Sequence, residues 1–118
     1  MLTRYRNQPP FETKDGSLIR ELMHPAVHGN RHQSLAEALV APGASTALHW
    51  HLRSEELYHV TAGSGLMTLG EERFEILPGD TIAIAPRTAH SVENTGSVDL
   101  VILCCCSPAY AHDDTELL

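Results

Sequence analysis

Apolar and polar residues alternate along short segments of this chain, each about four to eight residues long. Residues 56–61 (ELYHVT) and 81–85 (TIAIA) show the alternation, and residues 100–106 (LVILCCC) form an unbroken apolar run. A period of two places every second side chain on one face of a strand, and a short apolar run is typical of a strand buried on both faces. The predicted strands cover residues 18–22, 34–40, 48–51, 56–61, 65–69, 72–76, 81–85, 90–93 and 100–106.

Turn-forming residues separate these strands. Residues 42–43 (PG), 78–80 (PGD) and 94–96 (NTG) combine proline, glycine, asparagine and aspartate, which supply the dihedral angles that tight turns need. No long segment has the 3.6-residue spacing of an amphipathic helix. Closely spaced strands with such turns predict an all-β sandwich or barrel.

The regularity of the pattern divides the chain into three parts. Residues 34–106 are predicted to form the barrel core, and residues 1–33 an N-terminal arm, strand and loop packed on it. Within the arm, residues 23–33 are irregular, and we expect a loop that crosses the mouth of the barrel. Residues 107–118 are a C-terminal tail, and its end, residues 111–118, is expected to be poorly ordered because it is short and terminal.

Composition narrows the classes of partner. The 118 residues suit one domain, and the formal net charge is -7 with Lys14 as the single lysine. This balance argues against binding to nucleic acid or to an anionic membrane surface. The sequence shows neither a secretory leader nor an apolar run of membrane-spanning length. Together with three adjacent cysteines, this predicts a cytoplasmic protein.

Two histidines occupy alternate positions of one predicted strand. His49 and His51 therefore point to the same face, while Trp50 points the other way. A carboxylate follows after a short turn, at Glu55 or Glu56. Paired imidazoles beside a carboxylate are typical of a metal site.

A third histidine, His90, begins a later strand. Three neutral imidazoles and one carboxylate suit one divalent transition-metal ion: Fe, Mn, Ni, Cu, Co or Zn. Four such ligands leave one or two coordination positions open, which distinguishes a catalytic site from a closed structural one.

The two elements resemble the paired motifs of the cupin superfamily. The first, from Gly43 through the two histidines and Glu56 to Gly63, fits throughout. The second keeps Gly79, His90 and Asn94 at the expected spacing, but has Ala85 and Arg87 where the family often has proline and glycine. The resemblance, to small single-domain cupins over residues 34–106, implies a double-stranded β-helix, or jelly-roll barrel, with the metal inside. It also implies a homodimer, which small members often form.

The motif favours one of the two glutamates as the metal ligand. Glu56 lies at the six-residue distance from Gly63 and shares a face with Tyr58 and Val60. We therefore predict His49, His51, Glu56 and His90 as the metal ligands. Glu55 is left as a solvated neighbour, a partner for Arg53 or a proton-transfer group.

Tyr58 is predicted to lie inside the barrel near the metal. It is either a half-buried core aromatic or a catalytic residue that contacts substrate or acts as a general acid. Cys104, Cys105 and Cys106 alternate between faces of a strand and so cannot easily chelate one ion. We interpret them as small buried residues, one of which lines the barrel interior.

Two classes of function fit these residues. The first is a metalloenzyme acting on a small molecule, either a dioxygenase with Fe or Cu, or a Lewis-acid isomerase or lyase with Mn, Ni or Zn. The alternative is a non-catalytic small-ligand-binding or sensor cupin with the same ligands. An enzyme should carry a proton-transfer group within reach of the open coordination position, whereas a sensor should have a mostly apolar lining without one.

Overall fold

A computed structural model describes residues 1–118 of the chain. The strands are β1 (Phe11–Glu12), β2 (Leu18–Met23), β3 (Ser34–Val40), β4 (His49–His51), β5 (Glu55–Ala62), β6 (Gly65–Leu69), β7 (Glu72–Ile76), β8 (Thr81–Ile84), β9 (His90–Asn94), β10 (Leu100–Ser107) and β11 (Thr115–Leu117). One short helix, α1 (Pro25–His28), and two 3-10 turns (Tyr5–Asn7 and His112–Asp114) complete the chain. No helix has the length and apolarity needed to cross a membrane.

The strands form two antiparallel sheets. One has the order β1-β2-β3-β10-β5-β8, and the other has the order β11-β4-β9-β6-β7. Several neighbours in each sheet, such as β3 with β10 and β4 with β9, come from distant parts of the sequence, as in a jelly roll. The prediction of an all-β, jelly-roll barrel is confirmed.

The hydrophobic core lies between the two sheets. Every second residue of β10 points inward, so Leu100 and Ile102 are almost fully buried. Val60 from β5 and Met67 from β6 meet them from the two sheets, and both are 0% exposed. The alternation read from the sequence is therefore the alternation of buried and exposed side chains.

The two ends of the chain carry structure that the pattern did not predict. The C-terminal segment was expected to be poorly ordered, but Thr115–Leu117 forms β11 and pairs with β4. The irregular segment at residues 23–33 contains α1. None of its residues from 24 to 33 lines the internal pocket, whose lining includes Thr13, Asp15 and Ser17 from the β1–β2 hairpin. The position of residues 23–33 across the barrel mouth stays a prediction.

Two motif positions have left-handed backbone. Gly63 has φ +81°, and a Cβ there would collide with the carbonyl of Asp99, so glycine is required. Arg87 has φ 60° and is the only non-glycine residue in this conformation. This is the position where the resembling family often has glycine, which explains that preference physically.

Candidate metal centre

Three buried histidines meet on the inner face of the five-stranded sheet. His49 and His51 lie on β4, and His90 lies on β9 directly opposite His49 in the strand register. Their side chains are 3%, 4% and 0% exposed, respectively. One ring nitrogen from each lies within 4.8 Å of the other two. Period-two alternation on β4 and cross-strand pairing with β9 bring the rings together.

Backbone carbonyls fix the tautomer of two of these rings. The Nδ1 of His49 is 2.7 Å from the carbonyl oxygen of Ala47, and the Nδ1 of His90 is 2.8 Å from that of Thr88. A carbonyl only accepts hydrogen bonds, so each Nδ1 carries the proton. A neutral ring then leaves the Nε2 lone pair free.

The third ring is fixed by a hydroxyl from β11. The Nδ1 of His51 is 2.9 Å from Oγ1 of Thr115, and that hydroxyl donates to the carbonyl of Ala111 at 3.1 Å. Because its hydrogen is used there, Thr115 must accept from His51, whose Nδ1 therefore carries the proton. All three imidazoles thus present Nε2 to a common point, which is the arrangement in which metal-bound histidines are held.

A carboxylate from the opposite sheet faces these nitrogens. Oε1 of Glu56 is 3.1 Å from Nε2 of His51 and 3.4 Å from Nε2 of His90. Its other oxygen accepts a hydrogen bond from the thiol of Cys106, the residue opposite it in the strand register, at 3.2 Å. Glu56 is 5% exposed, and its hydrogen bond from Cys106 leaves Oε1 directed towards the histidines.

The charges at the site are defined by burial and by the neighbouring rings. Burial acts to raise the pKa of Glu56, but His51 and His90 outweigh it and lower that pKa to about 2. Burial and the nearby His90 lower the pKa of His49. The site therefore combines an anionic carboxylate, Glu56, with one imidazole, His49, that resists protonation.

This donor set fits a divalent transition-metal ion. Nε2 of His90 is fully buried and has no hydrogen-bond partner, which is costly unless something else occupies its lone pair. A carboxylate oxygen beside the Nε2 lone pairs needs a shared proton or a cation between them. Three imidazoles and one carboxylate match the ligand preference of borderline metals.

A small internal pocket opens beside the histidines. Its volume is about 50 Å³, and half of its lining residues are hydrophobic. Asp15 and Glu21, from the N-terminal arm, also line it, whereas no lysine or arginine does. One oxygen of Asp15 lies 3.8 Å from Nε2 of His49. The pocket is therefore acidic apart from any bound metal.

The other sequence-predicted residues divide between the pocket and the surface. Tyr58 lines the pocket, and burial raises the pKa of its phenol well above the ordinary value, so the hydroxyl stays protonated. Glu55 is exposed on the outer face of β5 and does not reach the pocket. Cys104 and Cys106 both face inward, while Cys105 faces outward, so two of the cysteines line the pocket rather than one.

Sequence reasoning missed the contributions of Asp15, Glu21 and Thr115. All three lie outside both motifs, and Asp15 and Thr115 are distant in sequence from His49 and His51, the residues they approach. The signal at Asp15 was the dipeptide Asp-Gly, which is typical of a tight turn and reveals nothing about what the turn covers. Thr115 lies in a strand of only three residues, too short to show a period.

Comparison with known proteins agrees with this geometry. The family described as Cupin domain matches residues 36–106. The chain is 54% identical to an uncharacterised protein of Methanocaldococcus jannaschii, over 98% of this chain and 93% of that one. It is 33% identical to the oxalate-binding protein of Thermotoga maritima, over 73% of this chain and 67% of that protein.

A solved structure shows the same architecture. It is that of a "predicted oxalate decarboxylase" of Thermotoga maritima, with a TM-score of 0.80 and 24% identity. The alignment covers 92% of this chain and 99% of that one. At this level of identity the similarity speaks for the fold alone. The family match over most of the chain, the jelly-roll fold and a three-histidine cluster that could bind a metal together show that this chain belongs to the cupin family.

Proposed function

We propose that the protein binds one divalent transition-metal ion through His49, His51, His90 and Glu56 and is a metalloenzyme acting on a small molecule. The observation that carries this proposal is the convergence of three Nε2 lone pairs, each fixed by a hydrogen bond at Nδ1, beside a buried carboxylate. Four ligands leave coordination positions open for a substrate oxygen.

The bound metal would supply Lewis acidity or, if it is redox-active, chemistry with dioxygen. The chain's own groups would bind and orient the substrate. Tyr58 keeps its proton and can donate a hydrogen bond into the pocket. Glu21 offers a carboxyl group that can hold or accept a proton, which favours an enzyme over a passive binder.

The pocket limits the substrate to a molecule of a few heavy atoms. One water needs about 10–15 Å³ of such volume, and the pocket has about 50 Å³. The name of one relative, the oxalate-binding protein, concerns oxalate, a molecule of this size. No lysine or arginine lines the pocket, so a dicarboxylate would depend on the metal for its positive charge. We therefore propose a small oxygen-donor substrate whose binding requires the metal.

The second candidate is a small-ligand-binding or sensor cupin without turnover. Two observations favour it: half of the lining residues are hydrophobic, and one relative is named for binding oxalate rather than for converting it. Screening the metal-loaded protein for dioxygen uptake and for isomerase or lyase products separates the two candidates. A ligand that shifts the melting temperature but is recovered unchanged supports the sensor.

Metal analysis of the purified protein tests the site itself. We expect about one transition-metal ion per chain in the wild type and substantially less in His51→Ala. Glu56→Gln should lower the metal content, whereas the matched variant Glu55→Gln should leave it unchanged because Glu55 faces solvent. Equally low metal content in the wild type and His51→Ala overturns the proposed metal site.

The proposal includes a homodimer that forms through the outer face of the six-stranded sheet. Leu35 on β3 and Leu57 on β5 are both paired with Cys105, so these three outward-facing side chains form an apolar row. The two leucines are 38% and 42% exposed. Contiguous exposed apolar residues often mark an interface between proteins.

A further inference from the structure

One side chain near the metal centre lies outside both motifs. Asp15 occupies the loop between β1 and β2. Its Oδ1 accepts hydrogen bonds from the hydroxyl of Thr13 at 2.9 Å, and from the amide and hydroxyl of Ser17 at 2.9 and 2.6 Å. No hydrogen bond holds Oδ2, which lies 3.8 Å from Nε2 of His49. One oxygen therefore shapes the loop, and the other faces the histidines.

The loop is tied to the segments that hold these histidines. The carbonyl of Asp15 accepts a hydrogen bond from the amide of Ala47 at 2.8 Å, and Ala47 in turn fixes the ring of His49. Lys14 donates to the carbonyl of Thr115 at 2.8 Å, beside the hydroxyl that fixes His51. Asp15 is 13% exposed, and the hydrogen bonds of the loop to Ala47 and Thr115 fix its position.

The spacing of the oxygens and nitrogens suits a single coordination sphere. Ligand atoms about 2.0–2.2 Å from one ion lie about 3 Å apart when adjacent and about 4 Å apart when opposite. Nε2 of His51 and of His90 lie 3.1 and 3.4 Å from the carboxylate of Glu56, and Nε2 of His49 lies 3.8 Å from that of Asp15.

The unpartnered atoms around this space indicate what it holds. Nε2 of His90 is fully buried and lacks a partner, and the free oxygen of Asp15 faces the lone pair of His49. A buried nitrogen lone pair and an anionic oxygen repel each other unless a cation lies between them. A divalent cation satisfies both groups at once.

We propose that Asp15 is a fifth protein ligand of the metal, supplied by the β1–β2 loop. This inference rests on the metal site proposed above. Two carboxylates, Asp15 and Glu56, then balance the charge of a divalent ion, so the occupied centre is neutral. A substrate that takes the position of Asp15 must displace it, and the loop therefore selects which small molecules reach the ion.

The variant Asp15→Asn distinguishes the roles of the two oxygens of the side chain. Asparagine keeps one oxygen to accept the three hydrogen bonds within the loop, but it replaces the carboxylate oxygen that faces His49 with an amide group. The matched control is Glu12→Gln, which removes one negative charge from an exposed side chain on the adjoining strand β1. The metal-free melting temperature of each variant reports whether the fold is intact.

Co²⁺ affinity, measured by competition with a chelator, is the first readout. We expect Asp15→Asn to weaken binding by on the order of tenfold or more, and Glu12→Gln to change it by less than about twofold. The visible absorption of bound Co²⁺ should also change in Asp15→Asn, because its intensity depends on coordination number. Unchanged affinity and absorption in Asp15→Asn overturn the inference while leaving the four-ligand site intact.

A second variant gives a positive signal. Asp15→Cys places a thiol in the same loop, and a thiolate bound to Co²⁺ produces an intense near-ultraviolet charge-transfer band that the wild type should lack. Absence of the band in a folded, Co²⁺-loaded Asp15→Cys protein also argues against ligation. If the wild type binds no Co²⁺ at all, it is the proposed metal site that fails, and the role of Asp15 fails with it.

Discussion

At the scale of single residues, the candidate metal centre depends on hydrogen bonds that orient each histidine ring. Thr115 is the clearest case, because one hydroxyl accepts from His51 and donates to the carbonyl of Ala111. The donor-to-acceptor direction of these two hydrogen bonds determines which ring nitrogen of His51 faces the pocket. The geometry of the ligand thus depends on a residue that lies 64 positions away in the sequence.

Replacing Thr115 with valine should weaken metal binding. Valine has a similar shape but cannot accept from Nδ1 of His51, so the ring loses its orientation and a buried N–H loses its partner. We expect the metal dissociation constant to rise about 10–100-fold. Competition with a chelator measures it, and Thr115→Ser, which keeps the hydroxyl, should stay close to wild type. Equal affinities in the valine and serine variants would contradict the role assigned to the hydroxyl.

The sequence predicted the residues inside the motifs and missed those that support them. His49, His51 and Glu56 could be placed on inner faces because strand alternation depends on neighbouring residues only. Asp15 and Thr115 reach the site through pairing between distant strands, which local patterns do not encode. Glu55 and Glu56 could be told apart because the alternation of β5 places them on opposite faces.

At the scale of elements, the turn between β4 and β5 is held by the C-terminal segment. The carboxylate of Asp114 accepts from the amides of Arg53 and Ser54 and from the guanidinium of Arg53. Its own carbonyl accepts from the amide of Leu52 at 2.9 Å. This turn sets the spacing between His51 and Glu56, so the final segment of the chain supports the centre of the site.

Stability should depend on pH through Asp114. Burial alone would raise its pKa, but the hydrogen bonds from Arg53 and Ser54 outweigh this effect and lower it. A lowered folded-state pKa stabilises the protein above the ordinary value of about 3.9 and loses that effect as the pH falls through the folded-state pKa.

Asp114→Asn should therefore lower the free energy of unfolding by about 1–3 kcal/mol at neutral pH, and by progressively less in acid. Urea denaturation at several pH values measures this difference. Asp113→Asn, the same change at an exposed neighbour, is the control. A difference that stays constant from neutral to strongly acid pH would rule out the charged form as the stabilising one.

The turn before β9 stores backbone strain at Arg87. Its left-handed φ of 60° is costly for a residue with a side chain, and its amide donates to the carbonyl of His51 at 2.7 Å.

Arg87→Gly should leave the free energy of unfolding unchanged or raise it by up to about 1 kcal/mol, since relief of strain competes with a more flexible unfolded chain. Arg87→Val should lower it by about 1–2 kcal/mol. Urea denaturation of both variants provides the measurement, and equal stability of the two would show that the position is not locked in this conformation.

Most strands of the barrel were predictable from alternation and turn residues. The predicted strands from residue 18 to residue 106 all occur within about two residues of their expected ends. The three-residue β4 was found through its two histidines at alternate positions rather than through its length. β1 and β11 have two and three residues, and only pairing with β2 and β4 makes them strands. The irregular segment at residues 23–33 was interpreted as a loop, but Met23 ends β2 and Pro25–His28 forms α1. Its position in the fold could not be inferred from its composition.

At the scale of the whole molecule, one outer face carries exposed apolar side chains in a row. The apolar row of Leu35, Cys105 and Leu57 crosses the outer face of the six-stranded sheet.

If this row forms the proposed homodimer interface, Leu57→Glu should convert the dimer to a monomer, because it places a charge among apolar side chains. Light scattering coupled to gel filtration measures the mass. Val98→Glu makes the same change at a 60% exposed residue in a loop and should leave the mass unchanged. A wild-type protein that is monomeric at all accessible concentrations refutes the interface.

The C-terminal strand also bears on when the site is assembled during synthesis. The ribosome makes His49 and His51 well before Cys106, which holds Glu56, and before Thr115, which fixes the ring of His51. A nascent chain therefore exposes two histidines whose partners do not yet exist. If the protein binds a metal as proposed, the barrel can select the ion by geometry only after translation has passed residue 115. The identity of that ion would then depend on which metals are available to the completed chain as it folds.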